Sequence, residues 1–508
     1  MGSPEYFQRD YERYQKCSVA DIREVVRRHL KAADRLVVSF VPEQSQRSKM
    51  ADIERSQVPD IGSRSTFRPP AFYSRKLPNG LTVILCERHE LPKVAVGLAL
   101  KSGATADPLT KPGVASMTAA MLDEGTTSRT SLQIQAELDR LGASLCSSAG
   151  LEISNVRLAT LEKNLKPALQ LMADLVLHPT FPEEELERQR KRRLDSILQE
   201  RHDPPVIASR VFRSIVFGEK HPFGRDMDGN ESSVKALTRA DLEGFYQTFW
   251  RPNNAAIIFA GDITLEEATG LTQEALGSWQ SGKVPEVDIP VVDPPASTKV
   301  YLVDRQDAAQ SQIRVGSLGP KRKVAEYYAI ELMNAVLGGA FTSRLNLNLR
   351  EERGYTYGAF VGFSYGREIG LWAGRMGVQS KFSNESLAEF KKELNDICAG
   401  RPITSGELDT AKANLTRGFA QRFETLGRLV QQVAEMLCYD LPLEEISRYP
   451  NAIEEVTLEQ AQAAATKYID ASRVVVVVVG DLNQIEKSVR ELNLGEVIVV
   501  DVEGKKLR

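Results

Sequence analysis

With 508 residues the chain has material for two to four domains and a substantial core. Its 65 lysines and arginines are balanced by 68 acids, so bulk charge gives no reason to expect nucleic acid or a membrane surface as partner, and the longest apolar run, Val474 to Val479, is far too short to span a bilayer. The five cysteines, Cys17, Cys86, Cys146, Cys398 and Cys438, are odd in number and scattered, which argues against a disulfide framework or a thiolate metal site.

At the amino terminus, MGSPEYFQRD has neither the basic segment nor the apolar segment of a secretory leader, and Met-Gly-Ser is the opening expected of a cloning start. Ser18 to Asp21 then forms a capping pattern that leads through IREVVRRHLKAAD into a short apolar strand, RLVVSF. The same unit returns twice, from Thr238 to NAAIIFAGD and from Thr457 to RVVVVVVGD, with offsets from cap to strand of 17, 16 and 16 residues. Duplicated domains, each closing on a helix and a strand, are the expectation. The first copy has no body ahead of it, so residues 1–44 read as the tail of a preceding module, followed by a polar linker over 45–70. That tail would lack its parent sheet and would pack in trans, self-associate or stay mobile.

A first full module is expected over 71–280. It starts with a hairpin turning at Pro78-Asn79-Gly80, flanked by alternating strands, and continues with a helix VASMTAAMLDEGT. An amphipathic helix LQIQAELDRLG, two more strands and two more helices, the second highly charged, complete it before the recurring unit. The proline-bearing stretch 281–297 reads as an extended linker. A second module over 298–508 repeats the order, with a long helix expected from Ser405 to about Leu437. The fold class is therefore α+β: two homologous modules, each an antiparallel sheet packed with helices, enclosing a chamber between them.

Within the second module, LGGAFTSRLNLNLREERGYTYG (337–358) sets one arginine and one tyrosine seven residues apart across a helix-to-strand turn. Gly338 and Gly339 break a helix, Thr342 or Ser343 can cap a new one, and Gly354 can end it in the left-handed region. Arg350 then lies near the helix end and Tyr357 opens a strand, so a guanidinium and a phenol held by rigid elements can aim at one carbonyl oxygen or peptide end. The alternative is that Arg350 pairs with a neighbouring carboxylate such as Glu351 or Glu352 while Tyr357 merely packs.

This order of elements, with PNGLTV, GVASMTAAMLDEGT, His221-Pro222-Phe223-Gly224, RPNNAAIIFAGD and the 337–358 stretch, resembles the M16 metallopeptidases, over roughly residues 71–484. The resemblance implies their metallohydrolase fold. In active members the helix matching GVASMTAAML carries His-x-x-Glu-His, two zinc ligands and a general base, and a glutamate farther along is the third ligand. Here those positions hold Ser116, Ala119, Ala120 and Ile197, which cannot hold a divalent cation. Asp123 and Glu124 read as solvated, Asp195 and Glu200 only flank the vacant register, and none of the five histidines is paired at helical spacing. No zinc or other cofactor is expected in this chain.

The family's arginine and tyrosine, which bind substrate backbone and stabilise the oxyanion from across the chamber, match Arg350 and Tyr357 in spacing and in flanking glycines. The resemblance thus implies the non-zinc half of a split or two-half peptidase. Its partners would be a zinc-bearing half and an unfolded peptide, in the periplasm or cytoplasm of a bacterium. The alternative is a non-enzymatic scaffold or peptide-binding subunit that takes peptide along a strand edge of the first module.

Overall fold

A computed structural model describes residues 5–30 and 69–508, which belong to two separate bodies divided between Thr66 and Phe67. The smaller contains α1 (Glu5–Lys16), which the sequence reading did not anticipate, and α2 (Val19–His29). The expected cap of α2 is formed: Asp21 N–H donates to Ser18 Oγ, and the Asp21 carboxylate accepts the Ser18 N–H at 2.8 Å. Ile22, Val25 and Leu30 on this helix are 55%, 57% and 74% exposed. Counted from the cap, the same positions are Leu242, Phe245 and Trp250 in the second copy and Ala461, Ala464 and Ile469 in the third, all buried. So α2 carries the core-facing stripe of a module's closing helix, and among the described residues that stripe is exposed. The strand expected at Arg35 and most of the 45–70 linker lie outside the described residues.

The larger body holds two six-stranded sheets. The first runs β1-β2-β6-β3-β5-β4, from β1 (Tyr73–Lys76), β2 (Thr82–Glu87), β3 (Lys93–Leu100), β4 (Ser144–Ala149), β5 (Ser154–Leu161) and β6 (Ala255–Gly261). The second runs β12-β7-β11-β8-β10-β9, from β7 (Lys299–Asp304), β8 (Gln310–Gly319), β9 (Thr356–Ser364), β10 (Gly370–Gln379), β11 (Val475–Gly480) and β12 (Glu496–Val500). The sheets are mixed rather than antiparallel. In each, the closing strand of the recurring unit slots between the module's early strands: β6 runs parallel to β2 and antiparallel to β3, and β11 does the same with β7 and β8. A strand reached after a long helical excursion has the reach for a parallel crossover, whereas adjacent strands joined by a tight turn do not. The Pro78-Asn79-Gly80 turn joins β1 to β2 as a hairpin, with Gly80 at φ +90°.

Eight helices follow the first strands: α3 (Val114–Ala120), α4 (Ser131–Leu141), α5 (Leu165–Leu177), α6 (Glu183–Glu200), α7 (Pro204–Phe217), α8 (Glu231–Ala236), α9 (Arg239–Phe249) and α10 (Leu265–Leu276). The second half adds α11 (Tyr327–Asn334), α12 (Arg344–Asn346), α13 (Ser383–Asn395), α14 (Ser405–Gly418), α15 (Leu426–Cys438), α16 (Glu444–Glu455), α17 (Leu458–Tyr468) and α18 (Leu482–Glu491). The helix expected over 405–437 is broken: α14 passes into a tight turn at Phe419–Phe423, and Thr425 caps α15 afresh. Among the described residues no helix is long and apolar enough to cross a membrane.

Two helices change sides. α7 belongs in sequence to the first half, but Ile207, Ala208, Val211 and Phe212 pack with Val475, Val477 and Val479 of the second sheet. Reciprocally, Leu429, Val430, Val433 and Ala434 of α15 join the cluster that contains Ala95, Ala99, Ala256, Ile258 and Ala260 of the first. This is why β3, expected to alternate, is buried along both faces. Small residues let the visiting helix come close. A Cβ on Gly97 in β3 would lie 2.3 Å from Val430 Cγ1, and one on Gly316 in β8 would lie 3.0 Å from Phe212 Cζ. Gly97→Val is therefore expected to lower stability by about 1–3 kcal/mol through overpacking. Gly362→Val in β9, where nothing lies within 4 Å, is expected to lose nothing; equal urea midpoints for the two variants would contradict the exchange.

Candidate functional site

Gly113 caps the start of α3 at φ +95°, and the backbone of Gly229 passes 2.8 Å from where a Cβ would be, so both the conformation and the space call for glycine. The buried Asp107 accepts the N–H groups of Gly113 (2.6 Å) and Ala115 (2.9 Å), giving donors at the helix start a partner. Burial pushes the Asp107 carboxyl up to about 7, against the pull of those donors. One turn on, the Ser116 hydroxyl donates to Asp228 Oδ1 at 2.6 Å. Ala119 is fully buried and its carbonyl accepts the Ser147 hydroxyl from β4, Ala120 is half-buried, and Ile197 of α6 lies within the apolar core of the first half. The one polar side chain of the four is committed to Asp228, and the other three have no lone pair to offer, so this donor set does not fit zinc. Among the described residues no three His, Cys, Asp or Glu side chains group where they could hold a metal ion.

Two neighbouring carboxylates behave differently from expectation. Glu124 is buried rather than solvated: Ser131 donates to it at 2.9 Å, with Arg188 and Gln189 of α6 as further donors. Burial works to raise its carboxyl, but those donors hold it below the usual range. Asp123 is half-buried, Asp195 is exposed and Glu200 pairs with Arg193. His221 is a buried pin, its Nε2 on the Pro290 carbonyl at 3.0 Å while Phe223 N–H donates to Nδ1.

In the second half, α11 continues as a π-helical turn over Ala335–Gly339, and α12 runs on into another over Leu347–Glu352. Irregular turns of this kind are frequent at functional sites. Arg350 lies in the latter, its guanidinium 4.4 Å from the Phe341 ring centre and 2.5 Å from Glu351 Oε1. Gly354 ends the segment at φ +66°, as expected. Tyr357 does not pack: it is 90% exposed and its hydroxyl has no hydrogen-bond partner among the described residues. A bulge explains its direction. Ala359 pairs with Met376 but Thr356 with Val378, so one residue of β10 spans two of β9. The Thr356 hydroxyl fixes the bulge by donating to the Gly377 carbonyl (2.7 Å) and accepting the Gly358 N–H (3.1 Å).

Sequence reasoning missed the clamp beneath this stretch. Arg344 is buried, forks onto both oxygens of Glu407 at 2.6 and 2.7 Å, and donates to the carbonyls of Arg401 and Pro402. Nothing in the local pattern sets it apart from the other arginines of 337–358. Among the described residues each sheet has an edge strand near these positions, β4 beside α3 and β9, with Tyr357 at its second residue.

A family model described as Insulinase (Peptidase family M16) matches residues 82–214, and one described as Peptidase M16 inactive domain matches residues 236–415, together more than half of the chain. Among curated proteins, an uncharacterised zinc protease of Mycobacterium leprae is 26% identical over 402 residues, covering 78% of this chain and 88% of its own length. A Helicobacter pylori protein described as the non-peptidase homolog YmxG is 23% identical over 379 residues, covering 74% of this chain and 87% of its own. Among solved structures, a peptidase M16 inactive domain from Pseudomonas fluorescens superposes with a TM-score of 0.76 at 27% identity, covering 81% of this chain and 98% of that one. A Helicobacter pylori protease at 19% identity shares the fold, with a TM-score of 0.74 over 81% of this chain and all of that one.

Proposed function

Since this chain belongs to the M16 peptidase family, we propose that it is the non-zinc half of an M16 zinc metallopeptidase, joined in function to a half that bears His-x-x-Glu-His and the metal. One asymmetry carries the reading. The α3 and α6 positions that match metal ligands hold hydroxyl, methyl and alkyl groups, whereas Arg350 and an outward-turned Tyr357 keep the pair that matches substrate and oxyanion donors. The guanidinium would take a peptide carbonyl or carboxylate through its fork, displacing Glu351, and the phenol O–H would donate to the oxygen on which charge develops. The exposed stripe of α2 would be covered by a module that lacks its own closing helix, which gives the zinc-bearing half a place to attach.

A second reading rests on β4. Among the described residues this strand pairs on its β5 side only and alternates in exposure, which suits it to adding a peptide strand without chemistry, and one relative is described as a non-peptidase homolog. Zinc content and turnover separate the two. After exposure to zinc and gel filtration the isolated chain is expected to hold no stoichiometric metal and to leave an unfolded peptide uncut. Mixed with a zinc-bearing half, it is expected to raise that half's peptide turnover. Turnover unchanged by the mixing would favour the strand-edge reading, and stoichiometric zinc on this chain alone would overturn both.

A further inference from the structure

The corner between α6 and α7 holds a charge pattern for which the peptidase reading has no use. Arg193, Arg210, Arg213, Arg225 and Arg314 line one cavity of about 400 Å3, from α6, α7, the loop after α7, and β8 of the second sheet. The acids around this cavity are already committed. Glu200 pairs with Arg193, Asp226 lies 3.6 Å from the same guanidinium, and Asp228 accepts the Ser116 hydroxyl. Arg210 has Glu503 at 3.7 Å.

That leaves three guanidiniums whose hydrogen-bond partners are all neutral, with Asp226 and Asp107 acting on Arg213 and Arg225 only from beyond ion-pair distance. Arg213 donates to the Phe223 carbonyl, Arg225 to the carbonyls of Asp107 and Pro108, and Arg314 to Ser209 Oγ and the carbonyls of Pro205 and Ile313. None of the three has a carboxylate within 4.0 Å among the described residues, and the Nε atoms of Arg210 and Arg225 are buried without any partner. Arg314 also sits directly across the ladder from Arg375, a like-charge pairing that disfavours the apo state. Burial pulls Arg213, Arg225 and Arg314 below the usual arginine range, Arg314 to about 10, yet all stay charged at neutral pH. Half-buried cations that cannot shed their charge are costly to leave without an anion.

We propose that this cavity binds a small multivalent oxyanion of the phosphate class, either a free phosphate or pyrophosphate or the phosphate chain of a nucleotide. A single carboxylate would neutralise one guanidinium of the three. Two or three negative charges on a tetrahedral oxyanion match forks arriving from three directions. Arg213 and Arg225 come from the first half of the chain and Arg314 from the second sheet, so the bound anion would tie the exchanged helix α7 to the strand beneath it.

The test uses the whole chain at constant ionic strength, balanced with KCl. Calorimetric titration with inorganic phosphate, pyrophosphate and ATP is expected to give one site for at least one of them, and the same ligand is expected to raise the thermal midpoint. Arg225→Gln and Arg314→Gln are each expected to weaken binding about tenfold or more, while Arg140→Gln, on the exposed end of α4, leaves it unchanged. Pyrophosphate and ATP binding alike places recognition in the phosphate chain, and ATP alone makes the ligand a nucleotide; either supports the proposal. Absence of a site for all three ligands on the unsubstituted chain overturns it without recourse to variants. So does citrate or triglutamate binding as tightly as pyrophosphate, or Arg225→Gln and Arg314→Gln folding normally by circular dichroism and binding as well as the unsubstituted chain.

Discussion

Tyr357→Phe is expected to lower peptide turnover about 100-fold when this chain is assayed with a zinc-bearing half, the size of effect seen when one oxyanion donor is removed. The substitution deletes one hydroxyl and keeps the ring. Because that side chain is 90% exposed and unbonded, the fold has nothing to lose with it. The loss should fall on kcat, since the phenol meets full charge only in the transition state. Arg350→Ala should add a rise in KM, because a guanidinium that grips the peptide acts before the reaction as well as during it. Circular dichroism and stability should stay level for Tyr357→Phe. If kcat and KM for both variants equalled those of the parent mixture, the pair would have no part in the reaction and the scaffold reading would stand.

Breaking the Arg344 fork is expected to have the largest effect on stability. Arg344→Met should cost about 3 kcal/mol, the lower end for splitting a buried ion pair, because Glu407 keeps part of its surface in water. The same fork sets an acid limit. Burial by itself would raise the Glu407 carboxyl, but Arg344, together with the Thr404 N–H and hydroxyl, draws it down to about 2 from an ordinary 4.5. A carboxyl depressed in the folded state contributes stability above its unfolded value and loses it as pH falls. The parent protein should therefore lose this contribution between about pH 4.5 and 2, and Glu407→Gln should flatten that part of the profile. Arg344→Met and Glu407→Gln combined should cost less than the sum of the two, as partners in one interaction do. Strict additivity in urea denaturation would refute the coupling.

What could be read from the sequence was what local rules control. The boxes at Ser18, Thr238 and Thr457 are all formed, Gly354 ends its turn in the left-handed region, and Tyr357 follows as strand. Whether Ser116, Ala119, Ala120 and Ile197 offer metal donors needs no fold to judge, because it depends only on which atoms those residues possess. Strand order was not legible, since the seat of β6 between β2 and β3 is decided by contacts more than 150 residues apart in the chain. α7 went unrecognised as a helix, and no periodicity says which sheet a helix will cover. The bulge at Thr356 depends on hydroxyl bonds to Gly358 and Gly377, and the five arginines of the anion cavity are spread from 193 to 314, so neither has a signature in a short window.

The reciprocal placement of α7 and α15 makes each half of the larger body incomplete by itself. Residues 281–297, the only covalent bridge between the two sheets, form neither helix nor strand, yet severing them would not free either side. Each fragment would carry off the helix that covers one face of the other's sheet and leave the matching face of its own sheet bare. The two halves are interlocked like clasped hands, and a single shared melting transition is the expected result.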